Sequence, residues 1–290
     1  MAPADSDLFD RLERFYDALP RPWTRSEEIG SLVLFIREGE GWPYYARPRP
    51  GSHTPSAADI LDTRARQREL GLPETFEWVH ETTPDLLAVA RSAGLDVLLA
   101  PLLVLDPAAL VPDLPLRDAA IRYLDPAADT FADDLRHSRT VARLGFAAPA
   151  YQPPFEVAEK TLVIDNAGPA ERDAGGALTA EALQQARKMF AGGDYLTAVA
   201  ESAVEGILAT ATSQRCGDVA EVVGVATLPS ARRRGYASQL TATIAGRLLN
   251  EGVGLVFLSA GDDDVARLYT RVGFRRVGTA CIAEPASAPM

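Results

Sequence analysis

Apolar residues recur at helical spacing near the start of the chain. Leu8, Phe9, Leu12, Phe15, Tyr16 and Leu19 form one stripe over residues 7–19. Strands are predicted at 31–37 (SLVLFIR), at 75–80 (TFEWVH) and at 96–105, the last interrupted by Pro101. Helices are expected between them, at 56–70 with Ser56 as cap and at 84–93. The second has Thr83 as cap, Pro84 at the first helical position and Gly94 just past the end. The proline-rich stretch 106–115 reads as a linker. A second series follows: strand 118–123, helix 127–144, a long loop over 147–176 and helix 179–190. Strands at 195–201, 206–213 and 219–227 come next, then helix 231–249, strand 253–259, helix 263–272 ended by Gly273, and strand 274–282. One order of elements occurs twice: strand, helix, small residue plus glycine, strand. It is found in FEWVHETTPDLLAVARSAGLDVLLAPLLVL and in VFLSAGDDDVARLYTRVGFRRVGTACI, which suggests a duplicated fold.

Composition narrows the class. With 290 residues, 47% hydrophobic and 24% charged, the chain has enough apolar material for two modest globular domains. No apolar run is long enough to span a bilayer, and the acidic start MAPADSDLFDRLERF has no leader pattern. The expectation is a cytoplasmic protein with no membrane partner. A net charge of -11 argues against a nucleic-acid partner and suits cationic ligands such as amines. The cysteines, Cys216 and Cys281, and the histidines, His53, His80 and His137, have no metal spacing, so no metal is expected. Glu77, His80 and Glu81 have acid–base side chains, but nothing in the pattern ties them to chemistry. Asp262, Asp263 and Asp264 are read as a helix cap favoured by the N-terminal dipole rather than as a ligand set.

The run EVVGVATLPSARRRGYASQ, residues 221–239, carries the chemistry. It reads as a strand, a proline-punctuated turn, a basic glycine-containing loop and a helix start. Successive backbone N–H groups backed by a helix N-terminus bind phosphate. Gly235 allows close backbone approach, Ala237 stays small, and Arg232, Arg233 and Arg234 add positive charge.

The spacing Val225-x-Thr227-x-Pro229-x-x-Arg232-x-x-Gly235-x-Ala237 resembles the acyl-CoA signature of the GNAT N-acyltransferase superfamily. A second element, Ala266-x-x-Tyr269-x-x-x-Gly273-Phe274, follows at the family distance. Asp263 stands where the family usually has asparagine, which puts one side-chain contact to the cofactor in doubt. The resemblance is strong over residues 195–282. It implies an α/β (α+β) fold of two tandem GNAT-like domains, each a mixed, mainly antiparallel sheet flanked by helices. Residues 1–112 would form a degenerate copy, without a counterpart of the arginine–glycine loop. Residues 113–290 would form the acyltransferase domain.

The same resemblance implies a site. Val225, Ala226 and Thr227 would line a gap in the sheet that takes pantetheine, and the amides of Arg233, Arg234, Gly235, Tyr236, Ala237 and Ser238, following Arg232, would hold pyrophosphate. The Val225 N–H would polarise the thioester carbonyl. Glu221 would take a proton from the amine, and Tyr269 would donate one to the leaving sulfur. The implied reaction moves an acetyl group from acetyl-CoA to a primary amine, a small cationic molecule by the charge argument. The acceptor would lie opposite the cofactor, between the domains or under the 147–176 loop. A non-catalytic acyl-CoA sensor or scaffold, a protein N-acetyltransferase guided by the N-terminal domain, a longer acyl donor and a homodimeric assembly all stay open at this point.

Overall fold

A computed structural model describes residues 3–39, 43–111, 116–148 and 166–286. Most of the long loop expected at 147–176, namely 149–165, and the end of the expected linker, 112–115, lie outside the described residues. The chain divides into two compact units. The first comprises residues 1–103, 259–263 and 276–290, and the second 104–258 and 264–275. This differs from the division at 112/113 expected from sequence, chiefly because a strand from the C-terminal half joins the first unit.

In the first unit, α1 (Pro3–Ala18) precedes the hairpin β1 (Thr24–Ile29) and β2 (Leu32–Arg37), and β3 (Arg47–Pro48) pairs with β2. Strand β1 escapes a hydrophobicity reading because its sequence, TRSEEI, lies largely exposed along an edge. Next come α2 (Ala57–Glu69), β4 (Phe76–Val79), α3 (Leu86–Ser92) and β5 (Leu95–Leu105). The expected Thr83 cap is not made, since α3 starts later, with Asp85 at its N-cap position. Pro101 does not interrupt β5, and its carbonyl accepts the Ala260 N–H at 2.9 Å.

The third strand of this group is β11 (Phe274–Pro285), which lies between β4 and β5. It pairs antiparallel with β4 from Ala280↔Val79 to Ala283↔Phe76. Cys281 and Ala283 thereby enter a core with Leu32, Leu34, Ile60, Trp78, Leu86 and Leu95. The Glu81 carboxylate accepts the Thr279 N–H at 3.0 Å.

The second unit holds the sheet order β10-β9-β8-β7-β6. Its elements are β6 (Ala120–Tyr123), α4 (Phe131–Ala147), α5 (Pro169–Asp173), α6 (Ala180–Ala191), β7 (Tyr195–Ser202), β8 (Gly206–Cys216), β9 (Val219–Thr227), α7 (Tyr236–Asn250), β10 (Leu255–Ser259) and α8 (Asp263–Val272). Strands β6 to β9 are antiparallel neighbours, and β9 and β10 are parallel. Thr179 caps α6 through the Ala182 N–H, as Ser56 caps α2 through that of Asp59. Part of the expected linker is fixed in this unit. Asp106 and Val111 donate to the carbonyls of Gly273 and Val272, both at 3.0 Å. Gly273 has φ +120°, and a Cβ there would lie 2.6 Å from the Ala109 carbonyl oxygen, so backbone contact dictates the glycine.

The sequence places its three tryptophans at 23, 42 and 78, all in the first unit, so tryptophan fluorescence reports on that unit. Ending the chain after Arg275 removes the strand that buries Cys281 and Ala283 against β4. The expected outcome is a marked fall in the fluorescence-detected urea midpoint, whereas an unchanged midpoint would show that β4 and β5 hold together without β11.

Candidate acyl-CoA site

Strand β9 carries the geometry of the site. Its register against β8 runs Gln214↔Glu221, Thr212↔Val223, Thr210↔Ala226 and Ala209↔Thr227. Between Val223 and Ala226, β9 has one residue more than β8, and Gly224 sits there at φ +62°. This is a β-bulge built on a left-handed glycine, which bends the strand and breaks its ladder. On the other side, β10 pairs with β9 only from Leu255↔Val219 to Phe257↔Glu221. Residues 222–227 of β9 therefore continue without β10 pairing. Val223, Val225 and Thr227 in that stretch are half-buried, and Ala226 is buried. A strand with unpaired amides and carbonyls can take an extended ligand as a surrogate neighbour.

The face of β9 that bears Glu221 can be traced from contacts. Residues 210, 212 and 214 of β8 share a face, and the Thr210 hydroxyl is 2.7 Å from that of Ser138 on α4. Glu221, Val223 and Ala226, their partners on β9, lie on that α4 side. At the far end of α4 the packing is tighter, since a Cβ on Gly145 would come within 3.0 Å of the Ala226 Cβ. Glu221 is only 6% exposed. It stands in a row with Phe257 of β10, Gln214 of β8 and Tyr195 of β7.

After β9, Pro229–Ala231 forms a short 3-10 turn, and α7 begins at Tyr236 rather than at residue 231 as the sequence suggested. The delay has a backbone cause. Arg233 (φ +64°) and Gly235 (φ +87°) are both left-handed, which no helix accommodates. The first hydrogen bond of α7 runs from the Gln239 N–H to the Gly235 carbonyl at 3.1 Å, and no side chain caps the helix. The leading amides of α7 are thus unsatisfied within the helix and point out of its positive end. Nothing lies within 4 Å of where a Gly235 Cβ would be, so space for a ligand adjoins them.

The three arginines do not share one role. Arg232 donates to the carbonyls of Gly145 (2.9 Å) and Ala148 at the end of α4. Arg234 is paired with Asp118 (3.1 Å) and Glu205 (3.0 Å). Asp118 also accepts the Tyr236 hydroxyl at 2.9 Å, which holds the carboxyl below its usual range. Arg233 is exposed and, among the described residues, its side chain has no partner. Sequence alone gives the charge of such a loop but not where each guanidinium is engaged.

Tyr269 on α8 is 6% exposed, with its ring edge-on to Phe274 at 6.3 Å between centroids. Burial raises its phenol well above the ordinary range. The hydroxyl therefore stays protonated at neutral pH, and it has no hydrogen-bond partner among the described residues. Of the three aspartates read as a cap, Asp263 opens α8 and Asp264 pairs with Arg267 one turn on. Glu77 forms a buried pair with Arg47, while Glu81 holds the Thr279 backbone, so neither is poised for acid–base work. Among the described residues no group of three or more histidine, cysteine or acidic side chains is arranged to hold a metal, and no helix is long and apolar enough to cross a membrane.

The corresponding helix of the first unit, α2, has the opposite N-terminus. The Asp59 carboxylate accepts the N–H groups of Ser56 (3.0 Å) and Ser31 (3.3 Å), and Ser56 Oγ accepts the Asp59 N–H (3.2 Å). The chain's own anion fills that end.

The family model for FR47-like proteins matches residues 205–282, from the residue before β8 into β11. No curated protein matches the chain. Among solved structures, a GCN5-related N-acetyltransferase from Kribbella flavida is 21% identical with a TM-score of 0.66, covering 97% of this chain and 96% of that one. A tandem GNAT protein from the clavulanic acid biosynthesis pathway is 15% identical with a TM-score of 0.51, covering 90% and 80%. A GCN5-related N-acetyltransferase from Sphaerobacter thermophilus is 14% identical, also with a TM-score of 0.51, covering 94% and 84%.

Gly235→Ala places a Cβ in open space but at φ +87°. A loss of about 1–2 kcal/mol in thermal stability is expected from backbone strain alone. A variant as stable as the parent would mean that the loop relaxes to another conformation.

Proposed function

We propose that this chain, which has the fold of the GCN5-related N-acetyltransferases across both units, transfers an acetyl group from acetyl-CoA to a primary amine. One observation carries the reading: β9 loses β10 at Glu221, bulges at Gly224, and leads into the uncapped N-terminus of α7. An extended, amide-bearing arm ending in pyrophosphate matches that sequence of features. Its amide-bearing part pairs with the free edge at Val225, Ala226 and Thr227, and its phosphates meet the amides of Arg233 to Ser238. Arg233 supplies the neighbouring positive charge. Arg232 serves indirectly, by fastening the loop to the end of α4. The thioester is the activated group that acetyl-CoA brings, and the protein's residues handle the protons around it.

Glu221 is the base in this reading. Its carboxylate is buried on the α4 side of β9, where it accepts a proton from the incoming ammonium directly or through water. The Val225 N–H, beside the bulge, polarises the thioester carbonyl. Tyr269 is the acid. Its raised phenol keeps the proton until the sulfur departs, and its unpartnered hydroxyl has no competing acceptor. A small cationic acceptor fits both the buried carboxylate and the net charge of -11. In the first unit, Asp59 occupies the N-terminus of α2, so that helix end does not serve as a second pyrophosphate site.

Calorimetric titration with acetyl-CoA is expected to give saturable binding at one site per chain, abolished in an Arg232→Glu/Gly235→Asp double variant. No binding by folded protein to acetyl-CoA or a longer acyl-CoA would end the acyltransferase reading. With acetyl-CoA bound, a panel of small cationic amines is expected to stimulate thiol release. In that assay Tyr269→Phe should lower kcat by roughly 100-fold, the low end for a general acid, with acetyl-CoA affinity unchanged. Equal loss of binding and kcat would make Tyr269 a packing residue instead.

A further inference from the structure

The phosphate loop carries an internal counter-anion. Arg234 lies immediately before Gly235, yet its guanidinium is turned to Asp118 Oδ2 at 3.1 Å and Glu205 Oε2 at 3.0 Å. The two carboxylates come from separate places, Asp118 from just before β6 and Glu205 from the β7–β8 turn. Asp118 is oriented further by the Tyr236 hydroxyl, from the first residue of α7. The Glu205 backbone is held in turn by the buried Arg172, which donates to the carbonyls of Glu205 and Ile207, both at 2.6 Å. Both acids are therefore placed by other parts of the fold, and together they outweigh Arg234 by one negative charge.

Carboxylates beside an anion site oppose its ligand. All three side chains are partly exposed, at 35% for Arg234, 44% for Asp118 and 38% for Glu205, so the arrangement can exchange partners without unpacking a core. An ion pair at that exposure is weak enough for a polyphosphate to compete with it. We infer that Asp118 and Glu205 compete with a cofactor phosphate for Arg234, and so set how tightly the phosphate-bearing half of the cofactor is held. This rests on the acyl-CoA reading above. The consequence is functional, since a pair that takes Arg234 back favours departure of the polyanionic product after each transfer.

The test is a double-mutant cycle read by calorimetric titration of free CoA into the full-length chain at 50 mM and 0.5 M salt. Asp118→Asn/Glu205→Gln is expected to bind CoA roughly three- to tenfold more tightly at low salt, with the gain shrinking at high salt as screening sets in. The competition has its own signature. In an Arg234→Ala background the same two substitutions should give a smaller gain, because no guanidinium is left to release. A gain that persists or grows in that background would overturn the inference in favour of simple repulsion. Unchanged or weaker CoA binding by a folded double variant would overturn it outright. If the double variant loses its melting transition, Glu205→Gln alone is read in its place, with a smaller gain of the same sign expected. Failure of the wild-type protein to bind CoA would instead remove the acyl-CoA reading itself, a distinct result.

Discussion

With one extra residue at Gly224, β9 can keep its register with β8 only by bulging, and it turns away from β10 in the same stretch. The rest of the second unit accommodates this break. α4 packs closely over Ala226 because position 145 is glycine, and Arg232 reaches across to the carbonyls at the end of that helix. The loop then needs two left-handed residues before α7 can start. Each of these features would be a flaw in an ordinary sheet. Together they leave an unsatisfied strand edge and an unsatisfied helix end in series, the combination a long amide-and-phosphate ligand satisfies.

The two units also show how little separates an open helix end from a closed one. Both α2 and α7 follow a strand and a proline-containing connection. In α2 a serine at the cap and an acid at the third helical position satisfy the amides and draw in the Ser31 N–H as well. In α7 the cap is a left-handed glycine with no side chain, and the third position is Ser238. A capping box stabilises a helix by about 1 kcal/mol and at the same time removes an anion site. The repeated order of elements, β3–α2–β4–α3–β5 and β9–α7–β10–α8–β11, is thus kept while the chemistry at the helix end is not.

Features written in local chemistry were legible from sequence. The cap Ser56 was visible as a residue type at the right offset, and α8 was bounded by Asp263 and Gly273, whereas the Thr83 cap gave way to a later helix start and the Thr179 cap was not singled out. The loop from Arg232 to Ala237 was visible through its spacing. Features set by distant partners were not. The polar strand TRSEEI has a single apolar residue, Ile29, too little for an alternating signal, because its order comes from pairing with β2. The engagement of Arg234 with Asp118 depends on residues more than a hundred positions apart. Gly224 reads as an ordinary glycine until its register with Thr210 and Thr212 is known.

Strand β11 has a consequence for how the protein is made. Thr279 and Glu81, joined by a hydrogen bond, are 198 residues apart. During synthesis β4 emerges early and then waits, its edge unpaired, while the whole second unit leaves the ribosome. Closing so long a loop is slow and leaves an exposed strand edge open to wrong partners. The first unit is therefore completed only after the second has emerged, and until then the edge of β4 that β11 will cover stays open.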